Sequence, residues 1–193
     1  MNILIDLLPS SVEIDNKKYE INSDFRTSII FSQLMEEDNI DQTKKVEIGL
    51  RLFYPEIPHD ITEAVEKIQW FYGCGKEIKR AKIKGKGVNK RILDYEEDAD
   101  YIYSAFMSQY KIDLQDIEYL HWWKFQSLFN GLKNDNKICE IMKYRSIDLS
   151  QIKDKEERKF YKDMQELYKL DEKINKADLE ALNKWNKVLK DNC

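Results

Sequence analysis

Residues 94–132, DYEEDADYIYSAFMSQYKIDLQDIEYLHWWKFQSLFNGL, form the densest aromatic run in the chain. The stretch reads as two helices joined by the short KIDL connection, with Asp94 and Asp116 as N-caps. Asp94 and Glu97 stand at capping-box spacing, and Glu96, Glu97 and Asp98 fall in the first turn, where the helix dipole favours negative charge. On a helical period Tyr95, Ala99, Ile102 and Phe106 make one apolar stripe, with Glu96, Glu97, Asp100 and Ser104 elsewhere on the surface. The second helix is apolar almost all round. Trp122, Phe125, Phe129 and Leu132 share a stripe that Ile117 and Leu128 widen, while Leu120 and Trp123 point in other directions. Such a helix either runs through the centre of a helical core or offers its second face to a partner.

Working outward, the 193 residues suffice for one compact domain, or one domain with an appendage. Hydrophobic residues make up 42% and charged residues 35%, so the composition is globular with a heavily charged surface. A formal net charge of −4 argues against a protein whose main task is coating nucleic acid. Six glycines and three prolines provide little punctuation, which favours long helices over a many-turned β fold. Cys74, Cys139 and Cys193 are far apart and odd in number, with no CxxC pair and no histidine cluster, so no disulfide framework, metal or cofactor is expected. That usage fits a reducing cytoplasm. The opening MNILIDLLPSSVEI lacks the basic start and cleavage site of a signal peptide, and no run approaches the ~20 apolar residues of a membrane span.

Taken in order, VEIDNKKYEI (12–21) alternates on both sides of Asp15-Asn16-Lys17, a β-hairpin pattern. Ile3, Leu4, Ile5, Leu7 and Leu8 precede it and are expected to dock on the core or add a strand. Asn22, Ser23 and Asp24 supply the cap of a first amphipathic helix ending at Glu36-Glu37-Asp38, a second follows Asp41 and stops at Pro55, and a third starts at Pro58 with Asp60-Ile61-Thr62 and runs to Gly73-Cys74-Gly75. Asn136 begins another short helix. Arg145 to Leu149 reads as a turn leading to a cap, Asp154 to Leu170 is amphipathic with Phe160, Met164, Leu167 and Tyr168 expected inward, and a last helix from about Asn175 places Leu179, Leu182, Trp185 and Leu189 on one stripe. The fold class is therefore mainly α, a small helical bundle with a short N-terminal β-hairpin. Its parts are the hairpin and helical cluster (1–75), a basic linker (76–93), the aromatic-rich core (94–170) and a C-terminal helix or arm (171–193), forming one compact domain overall.

Residues 76–91, KEIKRAKIKGKGVNKR, mark the clearest shift of composition. The segment reads as a solvated linker or as an electrostatic arm in which Lys79, Arg80, Lys82, Lys84 and Lys86 steer an acidic partner or nucleic acid. It carries no aromatic stacking platform for single-stranded nucleic acid, and GKGVNK lacks the phosphate-loop spacing. Glu96, Glu97, Asp98 and Asp100 read as a solvated acidic face rather than metal ligands. His121 reads as a core histidine bonded to a carboxylate or carbonyl, since no nucleophile stands near it, and His59 as a loop residue. Adjacent helical positions lie about 100° apart, so Trp122 and Trp123 cannot both enter one small core from one side. Trp123 is either an exposed interface anchor, together with Tyr119, or is covered by another helix of the chain.

Three blocks, DYEEDADYIYSAF (94–106), LHWWKFQSLFNGL (120–132) and IMKYRSIDLSQIKDKEERKFY (141–161), resemble the bacteriophage gene-product-fifteen family of phages and prophages of Gram-positive bacteria. The resemblance is strongest over 94–170, looser over 1–74 and does not extend into 171–193. It implies a gene placed between those for the major tail protein and the tape-measure protein, and a tail-assembly role of chaperone type, with no catalytic residues to transfer. The partner so implied is the tape-measure protein or another tail protein, in the cytoplasm of the host; a homo-oligomer is compatible with this, whereas membrane and nucleic acid are not expected as partners. The alternatives are a structural tail component kept in the virion and a nucleic-acid-binding regulator that uses the basic linker. An enzyme is the least supported class.

Overall fold

The computed structural model describes residues 2–76 and 91–171 of the chain. Over these residues the protein is mainly α, with a two-stranded antiparallel hairpin followed by seven α-helices. β1 (Ser11–Ile14) and β2 (Lys17–Glu20) pair with Val12 opposite Tyr19. Asp15 and Asn16 both take positive φ, as a two-residue hairpin turn of this twist requires. One face of the hairpin, Val12, Ile14 and Tyr19, is buried, with β1 against α3. A hairpin this short gains its stability from such a surface rather than from its own ladder.

The first three helices follow their caps. α1 (Phe25–Glu36) starts on Asp24, α2 (Gln42–Phe53) on Asp41 and α3 (Ile61–Tyr72) on Asp60, each carboxylate accepting a first-turn N–H. The Lys45 ammonium donates to the Met35 carbonyl at 2.8 Å, satisfying an end group of α1 and linking it to α2.

α4 (Ala99–Tyr110) and α5 (Trp122–Asn130) begin later than the sequence predicts. Asp94 does accept the N–H groups of Glu96 and Glu97, but the reciprocal capping-box bond comes from Asp98, not Glu97, and Ala99 is exposed. Asp116 is not a cap. The turn at 113–116 is closed by Asp113, and the chain from there to His121 is irregular because α1 takes its backbone groups. Arg26 donates to the carbonyls of Leu114 and Ile117, and Asp24 accepts from Leu120 N–H. Two further bonds, Phe25 N–H to the Leu120 carbonyl and Trp122 N–H to the Ser23 carbonyl, form a small antiparallel bridge. Helices α1 and α5 therefore start side by side.

Phe125 is the centre of the core. It is fully buried, and its ring is stacked within 13° of parallel against Phe25, Phe106, Trp122 and Phe129, the closest centroids lying at 5.0 Å. One connected cluster of buried apolar residues runs from Val12 in the hairpin to Ile138 in α6 (Lys137–Ser146).

The far end of the bundle is held ionically. Asp98, expected on a solvated face, is fully buried, and its two oxygens meet Nη1 and Nη2 of Arg145 at 2.6 and 3.0 Å. The remaining Arg145 donors reach the carbonyls of Tyr168 and Ile92. Arg91 adds contacts to Asp94 and Glu36. This node joins the start of α4, the end of α6 and the chain just beyond α7 (Lys155–Leu167). α7 itself departs from expectation. Met164 and Tyr168 are half-buried, but Phe160 and Leu167 lie in solvent, and no residue of this helix is fully covered.

Two substitutions test these supports. Phe125→Ala removes a ring from a close-packed stack and should cost about 3–5 kcal/mol in chemical denaturation; a loss below about 1 kcal/mol would mean that the site collapses freely. Arg145→Leu leaves Asp98 charged and unpaired among apolar neighbours, and a similar loss of about 3–5 kcal/mol is expected from the same measurement.

Candidate partner-binding surface

The N-terminal arm neither adds a strand nor buries its whole apolar side. Asn2 and Asp6 close it into a turn, with the Asn2 N–H donating to the Asp6 carboxylate at 2.6 Å and the Asp6 N–H to the Asn2 carbonyl at 2.8 Å. Pro9 then breaks strand continuation, and its carbonyl accepts from His121 Nε2. Leu8 packs on the core. Leu4, Ile5 and Leu7 are left 87%, 80% and 95% exposed. Sequence reading missed this display, although Asn2, Asp6 and Pro9 are the residues that signal it.

Ile3, at the base of the arm, overhangs a cleft of about 390 Å³ between the C-terminus of α3 and one face of α5. Cys74, Lys76, Trp123, Gln126 and Asn130 also line it. Ile3 and Trp123 give the cleft an apolar wall and Gln126, Ser127 and Asn130 an amide and hydroxyl rim, which suits an apolar side chain with its backbone held at the edge. Burial pushes the Cys74 thiol up to about 11, so it stays protonated at neutral pH and acts as a small apolar wall group.

Trp123 is covered rather than presented. It is 5% exposed, its indole N–H donates to the Phe71 carbonyl at 2.7 Å, and the neighbouring Trp122 donates to the Tyr72 carbonyl at 2.9 Å. Both indoles thus serve carbonyls at the end of α3, and that of Phe71 also accepts from Cys74 N–H in the closing turn. Of the two tryptophan readings, coverage by another helix is the one realised. Gly75 allows the approach: it has positive φ, and a β-carbon there would lie 2.7 Å from the Trp123 ring. Tyr119 is 51% exposed, with its hydroxyl hydrogen-bonded to Ser23, and does not line this cleft. Lys79, Arg80, Lys82, Lys84 and Lys86 lie outside the described residues, although Lys76, from which that segment departs, is on the cleft wall.

The titratable groups are engaged in structure. His121 is the N-cap of α5, its Nδ1 accepting from Trp123 N–H while Nε2–H donates to Pro9. His59 is an exposed loop residue. The acidic trio Asp15, Asp60 and Glu63 is accounted for by the α3 cap, by Asp15 N–H donating to Glu63, and by the Glu63–Lys67 ion pair. A larger cleft of about 720 Å³ opens beside the ionic node, with Glu36, Arg91, Arg145, Lys162 and Leu170 among its walls.

The cap on α5 sets a pH dependence. Burial lowers the His121 pKa in the folded state, the Pro9 bond opposes this and Lys124 adds to it. A base whose folded pKa lies below its unfolded value is fully stabilising when neutral in both states. The contribution should therefore be intact above the unfolded value of about 6.5 and decline as pH falls through it. Melting curves from pH 8 to 5 should show that decline in the native chain and a smaller one in His121→Asn, whose amide oxygen can still accept from Trp123 N–H.

Among the described residues no helix is long and apolar enough to cross a membrane. No curated protein and no solved structure matches the chain. A family model described as bacteriophage Gp15 protein matches residues 4–170, from the exposed arm through all seven helices. The arm, the α3–α5 cleft and the ionic node are thus built on a matched framework, and the chain belongs to the bacteriophage Gp15 protein family.

Proposed function

We propose that this phage protein is a tail-assembly chaperone that binds tape-measure polypeptide in the host cytoplasm before the tail tube polymerises. The observation that carries the reading is the arm: three large aliphatic side chains held out by a closed turn, beside a cleft floored by Trp123. Exposed apolar groups clustered in this way mark an interaction site more often than isolated ones do. A tape measure is long and rich in amphipathic helix, and such segments associate with one another unless covered. The arm and cleft suit a helical segment, with aliphatic contacts giving affinity and the amide rim closing over its polar side. Lys76 and the basic residues that follow it would draw in acidic stretches of the same partner.

Co-expression with the tape-measure polypeptide of the same phage or prophage tests this. The soluble yield of that polypeptide should rise, and the two chains should co-purify at moderate salt, because desolvated aliphatic contacts are not screened. The double variant Leu4→Ser, Leu7→Ser should keep the native melting temperature, both side chains being in solvent already. It should weaken the complex at least about tenfold, since burying each leucine is worth roughly 1.5–3 kcal/mol. Unchanged solubility with no co-purification overturns the proposal, and recovery of the protein from purified particles would assign it to the virion instead.

A further inference from the structure

α5 has a second open side. Phe125 leaves the helix roughly 200° round from Trp123, and a hollow of about 360 Å³ opens beside it, on the side of α5 away from the α3–α5 cleft. Its floor is core: Phe125, Phe25, Ile102 and Leu114 are all buried. Ile29 of α1 forms one half-buried wall, and the exposed Ala99 and Gln115 stand at the mouth. The polar groups on the other walls are already bonded. The Tyr103 hydroxyl donates to Asp113 at 3.1 Å and the Tyr95 hydroxyl accepts from Gln126 at 3.0 Å. The Arg26 guanidinium is held by Asp24 and by the carbonyls of Leu114 and Ile117. What these side chains offer the hollow is ring and methylene surface. Its volume sits near the lower end of the roughly 300–1,000 Å³ typical of ligand pockets, which suits one bulky apolar side chain.

The mouth of the hollow is acidic on two walls. On α4, Asp100 stands between Ala99 and Tyr103, and Glu96 lies three residues before Ala99; on the turn, Asp116 follows Gln115. All three are exposed, and among the described residues no cation pairs with them. The Tyr103 phenol is pushed up first by its bond to Asp113 and then by burial, and the charge of Asp116 is near enough to add to the rise. Residues 92–110 and 112–120 contain no lysine or arginine, and Arg26 is the one cation of α1. We propose that this hollow is a docking socket for a segment of another protein that carries one bulky apolar side chain between lysines or arginines. The apolar group enters over Phe125, while cations on its two sides meet Glu96 and Asp100 on one rim and Asp116 on the other. Carboxylates on two rims favour a polypeptide with flanking charges over a small amine, and they repel nucleic acid and anionic lipid. The socket is separate from the arm and its cleft, whose wall carries Lys76 and the opposite sign. The helix expected from about Asn175 lies outside the described residues.

Methyl NMR of the full-length protein, titrated with helical alanine–lysine peptides, tests the socket with defined probes. A peptide with one central phenylalanine should shift the methyls of Ile29, Ile102 and Leu114, with a Kd on the order of 0.1–1 mM from one buried ring and a few exposed ion pairs. The same peptide with alanine in place of the phenylalanine should bind at least about tenfold more weakly, and one with glutamate in place of lysine should leave these methyls unmoved. The triple variant Glu96→Gln, Asp100→Asn, Asp116→Asn should bind the phenylalanine peptide about threefold more weakly or worse, with a flatter dependence on salt. Equal affinity of the phenylalanine and alanine peptides overturns the proposal, as do an absence of binding and shifts confined to the arm and the α3–α5 cleft. Shifts of the three methyls that grow with protein concentration alongside a dimer mass, without peptide, overturn it in favour of a second copy on this face.

Discussion

Two adjacent indole N–H groups fix the way α3 meets α5, and the core is arranged around that crossing. Trp122 and Trp123 leave their helix about 100° apart, and each places a polar donor inside the protein. A buried donor without an acceptor costs about 1–3 kcal/mol, and the closing carbonyls of a helix face the same penalty. The end of α3 answers both, with Tyr72 accepting from one indole and Phe71 from the other. Since neither helix can rotate without breaking a bond, Phe125, one turn on from His121, is aimed at the centre, where Phe25 and Phe106 sandwich it.

At the opposite end the same problem is solved with charge. The Asp98–Arg145 pair has little water around it, so its value is geometric more than energetic: desolvation takes back most of what the attraction supplies. What it secures is a meeting point. The guanidinium also serves the carbonyls of Ile92 and Tyr168, so the entry to α4 and the exit from α7 are held against one side chain of α6. The apolar cluster and the ionic node divide the work, one excluding water and the other fixing where chain segments enter and leave.

Much of this is readable in the amino-acid order where the controlling contacts are local. Asp24, Asp41, Asp60 and Asp154 cap helices because their carboxylates need only reach two or three residues ahead, and the Asp15-Asn16 turn needs only its own dihedrals. The misplacements come from distant partners. Asp116 looks like a cap, but Arg26 and Asp24, about ninety residues earlier, claim the backbone that would have formed that turn. Asp98 resembles its acidic neighbours, and only Arg145, 47 residues later, separates it from them. Of the two residues read as anchors, Tyr119 is exposed but stands away from the cleft, whereas Trp123 is hidden by an α3 terminus whose position no local pattern encodes. The leucines of the arm were visible as apolar residues but not as displayed ones.

The bridge between the residues before α1 and those before α5 has a bearing on how the chain is made. Asp24 and Leu120 are separated by 96 positions, and the N–H of Phe25 and the stacking face of its ring both wait for groups that far along. During synthesis at roughly 5–20 residues per second, the first three helices would emerge seconds before their missing wall. They can be helical in that interval but cannot close their core, because Phe125 and both indoles are still unmade. The body should therefore assemble in one late step as α5 clears the ribosome, not helix by helix from the N-terminus.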